Sequence, residues 1–138
     1  MHAQPADSNA PLKGGILLAA ISTSIVGIVR EYYGRGPMKA KTYVMDDIIT
    51  VVLRGSGFTP LERTIMDSGE PNRVITMRHE FQRIMTKRYV CTIEQLTSRR
   101  VLAFLGQTHV DPDITMEIFV MDRPPEGFGA AETTDPGN

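Results

Sequence analysis

A six-residue segment, GRGPMK at positions 34–39, forces a change of backbone geometry on this chain. Ahead of it, Leu17, Ile21, Ile25, Ile28 and Tyr32 recur at spacings of three and four, the period of a helix with one apolar face. Gly34 suits the left-handed position that closes such a helix. Pro37 lacks an amide hydrogen and biases Gly36 toward extended backbone, so the helix cannot resume. The next two runs, KAKTYVMD at 39–46 and DIITVVLRG at 47–55, are rich in Val, Ile, Thr and Tyr and read as strands. The reading is a helix over 16–33, a chain reversal, and a β-hairpin turning at Asp46-Asp47. With that turn, Val44 opposes Ile49, Thr42 opposes Val51 and Lys39 opposes Arg54. A slip of one residue would turn every side chain to the other face of the sheet.

After a loop at 55–58, Thr59-Pro60-Leu61-Glu62 has the form of a helix start. Thr59 can cap, Pro60 fits the first helical position, and Glu62 can reach back as a capping box. That short helix ends at Ser68-Gly69, and Pro71 opens a long one carried to about 98. Its expected apolar stripe is Val74, Met77, Phe81, Ile84 with Met85, Tyr89, Ile93 and Leu96. Residues 100–109 and 114–122 form a second hairpin, with Pro112 pre-set for the turn between them. The order is α-β-β-α-α-β-β: an α+β fold with a four-stranded, mainly antiparallel sheet and a long helix packed on it. The expected boundaries are a disordered tail over 1–13, one domain over 14–122, and a disordered tail over 123–138.

The second hairpin is apolar on both faces. Val101, Ala103 and Leu105 alternate with Leu102 and Phe104, and Met116, Ile118 and Val120 alternate with Phe119 and Met121. An antiparallel sheet with one wet side shows polar residues there. Both faces therefore need covering, the second by the first helix or by another copy of the chain, and a homodimer is the expectation.

Composition narrows the function classes. A net charge of −1 gives no global attraction to nucleic acid or anionic lipid. The single Cys91 excludes an internal disulfide and a cysteine-only zinc site, points to a reducing compartment, and is read as a small packing residue. The most apolar run, the fourteen residues 16–29, reaches only about 21 Å as a helix against a hydrocarbon core of ~30 Å. A buried amphipathic helix is favoured over a signal peptide or an interfacial helix, and no transmembrane insertion is expected.

Two clusters carry candidate chemistry. Gly34, Arg35, Gly36, Lys39 and Arg54 gather cations and flexible backbone where phosphate, carboxylate or bicarbonate could sit. Against this, a helix cap with solvated cations needs nothing further. The loop contact residues Thr108, His109, Asp111 and Asp113 offer one imidazole and two carboxylates, enough to suggest a metal-assisted hydrolase or lyase. The simpler reading is a turn with an exposed His109. Arg73, Arg78, Arg83, Lys87, Arg88, Arg99 and Arg100 are read as a solvated basic face or an acidic partner's surface. RNA binding is the weaker option, since no aromatic stacking platform lies beside them. No nucleophile elbow, zinc-protease helix or dinucleotide fingerprint is present, so no catalytic residue, metal or cofactor is assigned.

Several ordered stretches, GRGPMKAK at 34–41, DDIITVVLRG at 46–55, TPLERT at 59–64, RHEFQ at 78–82, FLGQTHVDPD at 104–113 and IFVMD at 118–122, resemble the MpsC-like family. The family is named after a Na⁺-translocating, membrane-potential-generating system. The resemblance spans about 16–122 and implies at most a soluble accessory or regulatory subunit. Combined with the cation cluster, the doubly apolar hairpin and the absence of catalytic signatures, the expectation is a non-catalytic, dimeric domain that binds a partner protein of the membrane system or a small anion, in the cytoplasm at the inner face of the membrane.

Overall fold

The computed structural model describes residues 12–34, 39–55 and 59–128. Its elements are α1 (Gly14–Tyr33), β1 (Lys39–Met45), β2 (Ile48–Arg54), α2 (Pro60–Asp67), α3 (Pro71–Thr97), β3 (Val101–Val110) and β4 (Asp113–Met121). The fold is α+β, with four strands in the order β1-β2-β4-β3 and every neighbouring pair antiparallel. The first hairpin turns at Asp46-Asp47 with Asp46 in a left-handed conformation at φ 57°, and it pairs Val44 with Ile49, Thr42 with Val51 and Lys39 with Arg54, as expected. The two hairpins join through β2 and β4, the strands farthest from solvent on either side.

Pairing across the sheet defines rows of side chains. One row runs Thr42–Val51–Glu117–Gly106 across all four strands. Ser22 of α1 hydrogen-bonds Thr42 at 2.8 Å at one end of it, and Gln82 of α3 donates to Glu117 at the other. Both helices therefore lie on the same face, with α1 over β1 and α3 over β3. They enclose a core of Leu17, Ile21 and Ile25, of Met85, Tyr89 and Ile93, and of Ile49, Val51, Phe119 and Met121. Each such side chain, fully buried, contributes about 1.5–3 kcal/mol. Phe104 stacks between Tyr89 and Phe119 with centroids at 6.0 and 4.9 Å.

The ends of the helices follow their local chemistry. Gly34 closes α1 at φ 78°, and its N–H donates to the Arg30 carbonyl at 2.9 Å. The capping box on α2 is complete: the Glu62 N–H donates to Thr59 Oγ1 at 3.1 Å and the Thr59 N–H donates to Glu62 Oε1 at 3.0 Å.

Several expectations are corrected. Helix α1 has 20 residues, about 30 Å at ~1.5 Å per residue, so its length does not exclude a membrane span. Residues Gly14–Tyr32 meet the length and apolarity of a span, a test that a core helix also passes. Here Leu17, Ile21, Ile25, Ile28 and Val29 are buried within the fold. On α3 the buried line is Val74, Arg78, Gln82, Met85, Tyr89, Ile93 and Thr97, whereas Ile84 is 72% exposed. Arg78 thus leaves the solvated basic face to which it was assigned. Cys91 is exposed and not a packing residue. The chain also stays on the fold beyond Asp122, since Phe128 and Leu12 pack against the core and the Gly14 N–H donates to the Glu126 carbonyl at 3.4 Å. Helix α1 does not cover the second sheet face.

Candidate functional site

Among the described residues no helix lies over the outer face of the sheet. Its rows are Lys39–Arg54–Ile114–His109, Lys41–Val52–Met116–Gln107, Tyr43–Thr50–Ile118–Leu105 and Met45–Ile48–Val120–Ala103. The last two are almost wholly apolar. Met45 is 74%, Leu105 54%, Tyr43 48% and Met116 39% exposed. A lone exposed Leu is ordinary, whereas a contiguous apolar sheet face is a contact surface.

Charge on this face is arranged by position. Lys39, Lys41 and Arg54 lie at one end of the β1–β2 half, and Asp46 and Asp47 form the turn at its other end. The β3–β4 half runs the opposite way, with exposed Asp111 at the turn beside the cationic end and exposed Arg100 just before β3 at the other. Cations at one end of the β1–β2 half and the acidic turn at the other thus flank the apolar rows, while at the far end of the β3–β4 half Arg100 has the exposed Asp122 beside it.

The inner face holds a second group, a polar seam under the first half of α3. The Arg78 guanidinium donates to both Glu62 oxygens at 3.1 Å and to Asp113 Oδ1 at 2.7 Å. Burial works against the Arg78 charge, and the bonds to Glu62 and Asp113 more than offset it, leaving its pKa raised. One helical turn further on, Gln82 Nε2 donates to the two Glu117 oxygens at 3.2 and 3.1 Å. Glu117 is 1% exposed. Burial pushes its carboxyl up from 4.5 to about 8, and the Gln82 hydrogen bonds only partly counter this. Opposite it on β3 stands Gly106, where a Cβ would fall 2.6 Å from Gln82 Oε1 and 2.7 Å from Glu117 Oε1.

The structure redistributes the residues singled out from sequence. Lys39, Arg54 and His109, drawn from two separate candidate clusters, fall on one row of the outer face. Gly34 is the α1 cap, and Arg35 and Gly36 lie outside the described residues. The loop cluster is divided by the strand alternation. Thr108 and Asp113 face the helices, Thr108 bonded to Thr115 at 2.9 Å and Asp113 to Arg78. His109 points outward, with Nδ1 at 2.9 Å from the Pro112 carbonyl, and Asp111 is exposed. No group of three or more metal-ligating side chains forms among the described residues. The seam residues Glu62, Arg78, Gln82, Gly106 and Glu117 were missed as a group. The signal available was the i, i+4 spacing of Arg78 and Gln82 in line with Val74, on the same helical face as Met85 and Tyr89.

These features define a two-layer α+β domain whose helices cover one side of an antiparallel sheet and whose other side is an apolar, charge-patterned surface. The chain belongs to the MpsC family, described as a Na⁺-translocating membrane potential-generating system, whose family model matches residues 14–123. No curated protein and no solved structure matches the chain.

Proposed function

We propose that this chain is a non-catalytic accessory domain of a membrane-potential-generating system, acting at the cytoplasmic face of the membrane as a homodimer whose two copies stack their outer sheet faces. The observation that carries this reading is the outer face itself, apolar in its middle rows and complementary in charge end to end. Four strands at ~4.8 Å and seven residues at ~3.4 Å give a patch on the order of 500 Å² in projection, approaching the ~800 Å² of accessible surface each partner buries in a stable interface. A two-fold axis lying between the sheets and running across the strands sets β1 on β1 and β3 on β3, reversed. Lys39, Lys41 and Arg54 of each copy then meet the partner copy's acidic turn, and Asp111 meets Arg100. An axis along the strands would set β1 on β3 and also pair opposite charges, but it would give the three cations only Asp111, whereas the axis across the strands gives them the two carboxylates of Asp46-Asp47. In the absence of a second copy, the row containing Lys39, Arg54 and His109 is instead open to an anionic group of the membrane system.

Solution mass decides the matter. The wild-type chain is expected to run as two copies at micromolar concentration. Met116→Arg, which puts a charge in the middle of the outer face, is expected to run as one copy with an unchanged circular dichroism spectrum. A single-copy wild type overturns the reading.

A further inference from the structure

We propose that Glu117, with Gln82 and Gly106, forms a proton-binding site in the core that exchanges with solvent through the cleft between α3 and β3. The outer-face dimer plays no part in this inference.

The carboxyl sits in the middle of the inner face, at 1% exposure, on the innermost row of the sheet. A carboxylate in such a place requires a cation or several hydrogen-bond donors to remain charged. Its surroundings supply neither. Val51 of β2 and Gly106 of β3 oppose it, and Thr115 and Phe119 flank it on the same side of β4. From α3 the facing group is the neutral Gln82. Of the neighbouring charges, Arg78 is bonded to Glu62 and Asp113, and Arg83, on the cleft wall, is exposed and paired with Glu80. His79 lies on the cleft wall. From α1, the nearest contact to this row is the neutral pair Ser22–Thr42, at its far end. Glu117 is therefore a carboxylic acid whose stable form is neutral.

Gln82 suits both protonation states. A carboxamide has two donors and an acceptor oxygen on one rotatable group. Its Nε2 donates to both oxygens of the charged carboxylate, the arrangement seen at 3.2 and 3.1 Å. Turned over, its Oε1 accepts the O–H of the neutral acid. Gly106 leaves the room this turn needs, since a Cβ there would press on both partners at 2.6 and 2.7 Å.

The route to solvent is an open cleft of about 350 Å³ lined by His79, Gln82, Arg83, Thr86, Gly106 and Gln107, with Phe104 as its apolar wall. Gln82 and Gly106 thus belong to both the cleft and the site. His79 Nε2 is buried and has no hydrogen-bond partner among the described residues. An unsatisfied nitrogen on a polar cleft wall is a place for a water, and water is the carrier a buried acid needs to gain or lose its proton.

The test is a side-chain carboxyl titration of the full chain by ¹³C NMR, with Glu117→Gln to assign the signal. The Glu117 carboxyl is expected to titrate near pH 8, with the Gln82 side-chain amide signals moving at the same midpoint. A Glu117 midpoint in the ordinary glutamate range, near ~4.3, overturns the proposal. Where Glu117→Gln does not fold, the wild-type Gln82 amide signals decide alone: movement near pH 8 supports the site, and movement confined to the ordinary range or none at all sinks it.

Discussion

Glu117 sets the way this fold responds to pH. Its folded-state carboxyl is raised to about 8 from an ordinary 4.5, so between those values the folded chain holds a proton that the unfolded chain has lost. Stability rises with pH only where the unfolded state binds more protons, and here the order is reversed. The contribution is fully present below about 4.5, is lost as pH rises to about 8, and is flat beyond. Urea midpoints measured across this window are expected to fall with rising pH in the wild type, by up to several kcal/mol of stability. Glu117→Gln is expected to flatten that slope. An unchanged slope would assign the pH response to other groups. Gly106 belongs to the same residue-scale picture: its lack of a side chain follows from the two polar groups standing in front of it.

Helix α2 shows how an element too short to persist alone is held. Eight residues fall well below the ~12–15 at which isolated helices become even marginal in water. Glu62 does two jobs for it, accepting the Thr59 N–H as part of the cap and taking the fork of Arg78 on α3. Asp113 binds the same guanidinium from the start of β4, so one cation ties α2, α3 and the second hairpin. Glu62→Ala removes the side-chain half of the capping box, the Thr59 N–H bond, and leaves a buried cation short of a partner. It is expected to cost about 3–5 kcal/mol in chemical denaturation, the usual penalty for breaking a buried pair. Glu62→Gln keeps a capping oxygen and is expected to cost less. Equal costs for the two would mean that the side-chain oxygen at position 62 contributes nothing as a cap.

At the scale of the whole molecule, the sheet is divided into a covered and an open face. Both helices take one side because the chain crosses from the first hairpin to the second through α2 and α3 on the side where α1 already lies. With the antiparallel stacking proposed above, Lys41→Asp sets like charge against the partner's acidic turn. It is expected to weaken the dimer by a few-fold, as suits a rim charge worth ~0.2–1 kcal/mol. Adding Asp47→Lys to the same chain is expected to restore it, read by analytical sedimentation of the two variants against the wild type. Failure of the second change to compensate would exclude this orientation while leaving the dimer itself to the Met116→Arg test.

Local chemistry by itself determined the order of the elements, the register of the first hairpin, the α2 capping box and the glycine closing α1. Each depends on residues a few positions apart, where turn, cap and alternation rules act without the rest of the chain. The apolar character of both faces of the second hairpin was legible too. Tertiary structure alone decided that α1 and α3 share one face, that Asp113 turns inward while His109 turns outward, and that Arg78 and Gln82 are core residues. Periodicity had set α3 by its greasiest stripe, through Ile84. The true inner line includes polar residues because Glu62, Asp113 and Glu117, distant in sequence, meet them there, and only folding brings those partners within hydrogen-bonding reach.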